Sequence, residues 1–288
     1  MTETTDHGFS DLPPAAATLG HVFARPKVLA ALCVIVLAAL GWLYLALLVA
    51  SAGGTITGSS AAIVQAFCRP LPDGSWSVSG VAIVASMWSA MTLAMMLPSA
   101  APMILTYAGI ADTAARKREH IVSPFVITAG YASVWLGFAA VATLMQIFLT
   151  RAALLDAGME SASSLFSGAI LLGAGFYQFS ALKHACLTHC QQPFPFFFAN
   201  WATTPGGVFR LGLKQGLYCL GCCWAMMAVM FAVGVMNVVW MAALGVVMAT
   251  EKLLRGRHFT HVIGVLLALA GGVFVLTAFA AHWPGWMS

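Results

Sequence analysis

The chain has 288 residues, 61% hydrophobic and only 8% charged, with a net charge of +4. An ordinary soluble domain carries about 25% charged residues, so the composition excludes a soluble globular fold and implies a polytopic membrane protein. The basic excess is best read as membrane orientation, and it gives no ground for nucleic-acid binding.

Taken in chain order, residues 1–24 are polar and rich in Pro and Ala, without a basic region leading into a cleavable signal. They read as a disordered cytoplasmic tail, and residues 25–288 as a single transmembrane helical domain. Seven apolar runs follow, near 28–51, 81–109, 124–149, 162–182, 213–233, 237–253 and 260–281. Most reach the ~20 residues a helix needs to cross a ~30 Å hydrocarbon core. Leu213 to Met248 is almost continuously apolar, and it divides at "VGVMN", where Gly234 and Asn237 suit a tight turn. Residues 52–80 form the one sizeable outer loop. Residues 183–212 form the longest inner segment, whose "PFPFFFANW" suits an interfacial or re-entrant piece.

Charge tests this division. With the N-terminus cytoplasmic, the inner segments hold Arg25, Lys27, Arg116, Lys117, Arg118, Lys183, Arg210, Lys214, Lys252, Arg255 and Arg257, and the outer ones only Arg69 and Arg151. Basic residues concentrate on the cytoplasmic side of membrane proteins. The expectation is an all-α, polytopic transmembrane helical bundle of about seven spans, N-terminus cytoplasmic and C-terminus outside, in a bacterial inner (plasma) membrane.

That topology gives the sulfur an address. Cys186 and Cys190 follow the fourth span, and Cys219, Cys222 and Cys223 begin the fifth from the same side. Cys33 lies in the inner half of the first span, and Cys68 is alone outside. Thiols on the reducing side rarely form structural disulfides. "KHACLTHCQQP" places Cys186 and Cys190 one helical turn apart. "GLYCLGCCWAMMAVM" places Cys219, Cys222, Cys223, Met226 and Met230 within roughly 100° of one helical face. Brought together, the two cysteine pairs would make a four-sulfur site for Zn²⁺, Cu(I) or an iron–sulfur cluster. His184, His189, His258 and His261 could contribute, against a solvated or interfacial role for each.

The second run bears "MWSAMTLAMMLPSAAPM", in which Met87, Met91 and Met95 recur every four residues. Met96 and Met103 fall off that face, though Pro98 and Pro102 would disturb the winding. A single Met or Cys has an ordinary reading as core filler. The constellation favours a metal, and thioethers favour Cu(I) over borderline cations. Gly212 and Gly216 form a GxxxG suited to close helix packing.

The stretches "MWSAMTLAMMLPSAAP", "KHACLTHCQQP", "GLKQGLYCLGCCWAMM" and "GVMNVVWMAALGVVMATEKL" resemble a bacterial family of predicted metal-binding integral membrane proteins, a domain of unknown function, over roughly residues 80–280. The resemblance implies a helical membrane protein with a metal role. It matches at Met91, Met95, Met96, Cys186, Cys190, Cys219, Cys222 and Cys223.

The expected function is handling of a soft metal, Cu(I) before zinc, for transport or delivery. Membrane lipid surrounds the chain, and a metal-donor or acceptor protein is the expected partner. In its chemistry the Met spacing resembles the MxxxM helix of eukaryotic copper transporters. Alternatives are a membrane thiol–disulfide electron carrier, or a structural zinc, iron–sulfur or haem site. The chain has neither a P-loop nor a "DKTGT" motif, which argues against ATP-driven pumping. It has no carboxylate evident at mid-membrane, which argues against proton-coupled transport. No catalytic residue is assigned.

Overall fold

The computed structural model describes residues 26–52, 78–116, 122–152, 154–155, 163–235, 237–254 and 256–282. Within them the chain is helical: α1 Pro26–Ala52, α2 Val78–Arg116, α3 Pro124–Arg151, α4 Ser164–Tyr177 and α5 Ala181–Gln191. α6 Pro193–Ala199, α7 Pro205–Ala228, α8 Met230–Val233, α9 Val238–Leu253 and α10 His258–His282 complete the order. The expected tail, the outer loop with Cys68 and the end of the chain lie outside the described residues.

Local chemistry sets the helix starts. The side chains of Ser123, Ser163, Ser180, Thr204 and Asn237 each accept a backbone N–H of the first turn, satisfying donors that have no partner within the helix. Pro124 and Pro205 sit at the first helical position, where a missing N–H costs least. At the "VGVMN" turn Gly234 takes φ 97°, a left-handed backbone that other residues resist, and Asn237 then caps α9.

Among the described residues, four helical stretches are long and apolar enough to cross a membrane: Gly80–Ala114, Pro124–Arg151, Pro205–Val233 and His258–Ala280. α4 and α5 make a fifth if their 64° bend is counted within one broken span. Among the described residues, length and composition thus give four or five candidate spans and do not support the expected seven. The expected fourth run, 162–182, meets that bend near its end, after Tyr177. α9 has 16 residues and rises about 24 Å, short of the ~30 Å core. The expected cytoplasmic N-terminus and outer C-terminus fall in segments outside the described residues.

α2 is the central column. It packs against α1, α3, α6 and α9, so both of its faces are covered and Met91, Met95, Met96 and Met103 are all buried. α3 lies along α7, where a Cβ at Gly130 would strike the Phe209 carbonyl and one at Gly212 the Ile127 carbonyl. The absence of side chains there lets the two backbones touch, as in small-residue membrane interfaces. α10 packs along α4 and exposes its other faces as a row of Leu, Val and Phe.

Candidate metal centre

The 64° turn between α4 and α5 lays α5 along α7. Hydrogen bonds from three side chains hold this arrangement. Gln191 Nε2 donates to the carbonyls of Glu251 and Leu254 at 2.7 and 2.8 Å, Gln215 Nε2 donates to the His189 carbonyl at 3.4 Å, and Tyr177 OH donates to the Gly221 carbonyl.

This places Cys190 of α5 over Cys219 and Cys222 of α7. The three sulfurs lie within 4.8 Å of one another, with Cys190 and Cys222 at 3.9 Å. Cys219 and Cys222 are fully buried and Cys190 half-buried. Cys223 follows, its sulfur 3.3 Å from that of Cys222. The expected pairing of two cysteines with two is thus realised as three sulfurs. Cys186 stands one turn back on α5, in the notch left by Gly221, where a Cβ would come within 2.6 Å of its sulfur.

Three converging sulfurs suit a soft ion. Thiolates select Cu(I), zinc or iron–sulfur centres, while structural zinc takes four ligands. The group within ligand reach contains no histidine. His184 and His261 meet ring to ring at 5.3 Å, and His189 stacks on Tyr218 at 4.3 Å.

The methionines take different places in the same core. The Met96 sulfur accepts from Ser99 Oγ at 3.8 Å, and the Met96 carbonyl accepts from Tyr131 OH at 3.2 Å. Tyr131 OH is 3.0 Å from the Cys219 sulfur, so α2 reaches the cysteine group through one hydroxyl. Met226 accepts from Gln178 Nε2 at 2.9 Å. Met95 faces Gly245 of α9, and Met91 and Met230 are fully buried.

Sequence reasoning missed the polar residues of this site. Lys252 Nζ donates to the Cys219 sulfur at 3.0 Å and to Ser99 Oγ at 2.6 Å. Lys183 and Glu251 form a buried ion pair at 2.8 Å. Lys183 and Lys252 had the appearance of loop charges, yet both are buried in the bundle. Glu251 supplies the interior carboxylate that the apolar runs hid. Their signal was adjacency: Lys183 opens "KHACLTHC", and "TEKL" closes the "GVMNVVWMAALGVVMATEKL" stretch.

No curated protein and no solved structure matches this chain. A family model described as a copper chaperone, PpoB2, matches residues 85–274. The match runs from α2 through most of α10 and includes every cysteine and methionine of the site, which is compatible with the metal role implied by the motif resemblance. With well over half its length so covered, the chain belongs to the PpoB2 copper chaperone family.

Proposed function

We propose that this protein is an integral membrane handler of Cu(I), binding the ion as cargo through Cys190, Cys219 and Cys222 and passing it to a partner protein. The observation that carries the reading is the convergence of three sulfurs from two helices within 4.8 Å. Two or three thiolates satisfy Cu(I), and exchange of one sulfur for another moves the ion without ever freeing it. Cys223 and Cys186 stand beside the group as the next sulfurs in line. The family's description favours holding and delivery over pumping.

In this reading residues 25–288 form one helical domain in a bacterial inner membrane, with the cysteine group toward the cytoplasm. Met91, Met95, Met96, Met226 and Met230 supply a thioether path deeper in the bundle. Thioethers are neutral, so they hold Cu(I) weakly and exchangeably and add little for zinc. The test is elemental analysis and sulfur coordination number of the purified protein after anaerobic Cu(I) loading, with Cys222→Ser beside it. About one copper ion on two or three sulfurs, lost in Cys222→Ser, fits the chemistry expected of a soft-metal site. Copper content unchanged by Cys222→Ser sinks the proposal.

A thiol–disulfide carrier is the second reading, because Cys190 and Cys222 are already 3.9 Å apart. It requires that the pair cycle through a disulfide under an electron donor. Full activity of a Cys190→Ser variant in copper delivery, with loss of thiol exchange, would favour it.

A further inference from the structure

A cation stands where a cation is to bind. Lys252 occupies the last turn of α9, its side chain turned inward and 8% exposed. Its ammonium donates to the Cys219 sulfur at 3.0 Å and to Ser99 Oγ at 2.6 Å. No carboxylate is among these hydrogen-bond partners. The neighbouring Glu251 is engaged by Lys183 at 2.8 Å, so its charge is already matched. The sulfur group therefore holds a fixed positive charge in direct contact with one of its ligand atoms.

We propose that Lys252 sets the charge selectivity of the sulfur site, admitting a univalent soft ion and disfavouring a divalent one. This rests on the Cu(I) reading above and adds a residue that the reading does not need. An ion about 2.3 Å from the Cys219 sulfur lies within roughly 5 Å of Lys252 Nζ. The ammonium favours ionised thiolates equally whichever metal they hold, so that effect cancels between metals. Its repulsion of the bound ion does not cancel, because Zn²⁺ carries twice the charge of Cu(I). At about 5 Å and an effective dielectric near 20, the extra unit of charge corresponds to on the order of 100-fold in relative affinity. Charge and ligand number then act together, since three sulfurs also leave zinc one ligand short.

Lys also fits this place better than Arg would for packing alone. Its single nitrogen on a flexible stem reaches both Ser99 and Cys219, whereas a guanidinium presents a planar fork.

The test uses the full chain purified in detergent, with Cu(I) alone and Zn²⁺ alone as probes, each titrated anaerobically against a chelating dye. Lys252→Met is expected to move the Cu(I)-to-Zn²⁺ affinity ratio toward zinc by on the order of 100-fold. Lys252→Gln keeps a donor to Ser99 while removing the charge, and it should give the same shift if the Met variant folds poorly. Lys252→Arg should hold the ratio. An unchanged ratio in a Met or Gln variant that still binds copper overturns the proposal, as does an Arg variant that shifts as far as Met. If Cys222→Ser binds both metals like the unsubstituted protein, the sulfur site itself fails and this inference falls with it, a result distinct from a charge-insensitive ratio.

Discussion

The Lys183 ammonium and the Glu251 carboxylate stand 2.8 Å apart, with side chains 0% and 1% exposed. They join α5 to α9 beside the Gln191 contacts to the α9 end. Because Cys190 rides on α5, this pair fixes the one sulfur of the Cys190, Cys219 and Cys222 group that α7 does not supply. Burying two charges is costly, and the pair adds definition more than net stability.

Removing one partner should therefore hurt more than removing both. Lys183→Met leaves Glu251 buried and unmatched, which costs about 3–5 kcal/mol. Adding Glu251→Leu should restore most of that, with thermal unfolding in detergent as the measurement. The single variant should also weaken Cu(I) binding, since α5 is freed to drift from α7. A single variant as stable as the parent would mean the pair does not hold α5.

The cysteines should divide into two classes. Cys190→Ser and Cys222→Ser each remove a converging sulfur, and each should weaken Cu(I) binding by more than the roughly 10–100-fold typical of losing an outer-shell partner. Cys186→Ser removes a sulfur seated against Gly221 and should retain the tight site while slowing metal transfer to or from it. Chelator competition reads the first effect and stopped-flow exchange the second. Equal losses from Cys186→Ser and Cys190→Ser would show that α5 presents both sulfurs to one ion.

Which parts were legible in the sequence follows from the range of the forces involved. Helix starts depend on a cap and a proline within four residues, a local signal that the sequence carries at Ser123 and Thr204, although only the turn at Gly234 and Asn237 was expected from it. The turn at Gly234 was equally local. The meeting of α5 with α7 was foreseeable because cysteine pairs with metal-ligand spacing flanked one inner segment. The number of spans was not, because hydropathy does not register the bend after Tyr177, and α9 is too short to cross alone. The interior charges were hidden for a related reason. Lys183 and Lys252 lie near helix ends, where a basic residue ordinarily marks the membrane face, and only the packing turns them inward. Tyr131 gave no signal at all: its hydroxyl meets Cys219 because α3 and α7 approach so closely.

That approach depends on Gly212. A Cβ there would strike the Ile127 carbonyl, a backbone atom that cannot rotate away, so Gly212→Ala must part the helices. Overpacking of this kind costs about 1–3 kcal/mol. Tyr131, one turn along α3, would be drawn off Cys219. The expected result is lower thermal stability together with weaker Cu(I) binding. Tyr131→Phe keeps the ring and removes only the hydroxyl, a hydrogen-bond loss of about 0.5–1.5 kcal/mol, and isolates the contribution of that contact to the sulfur. Should Gly212→Ala match the parent in both measurements, the close α3–α7 contact does not support the site.

The methionines pose the last question, whether they conduct copper or merely fill the core. Met91 and Met95 are 0% and 4% exposed, and Met95 packs toward Gly245 of α9, so burial alone is consistent with packing. Chemistry separates the two roles. Leu nearly matches Met in volume, and such a swap usually costs less than about 1.5 kcal/mol, so Met91→Leu with Met95→Leu should fold and retain the Cys190, Cys219 and Cys222 site. If the thioethers form an exchange path, the double variant keeps Cu(I) bound at the cysteines yet fails in copper-dependent growth, while zinc binding is unaffected. Copper bound at the parental level with growth at the parental rate would assign these methionines to packing.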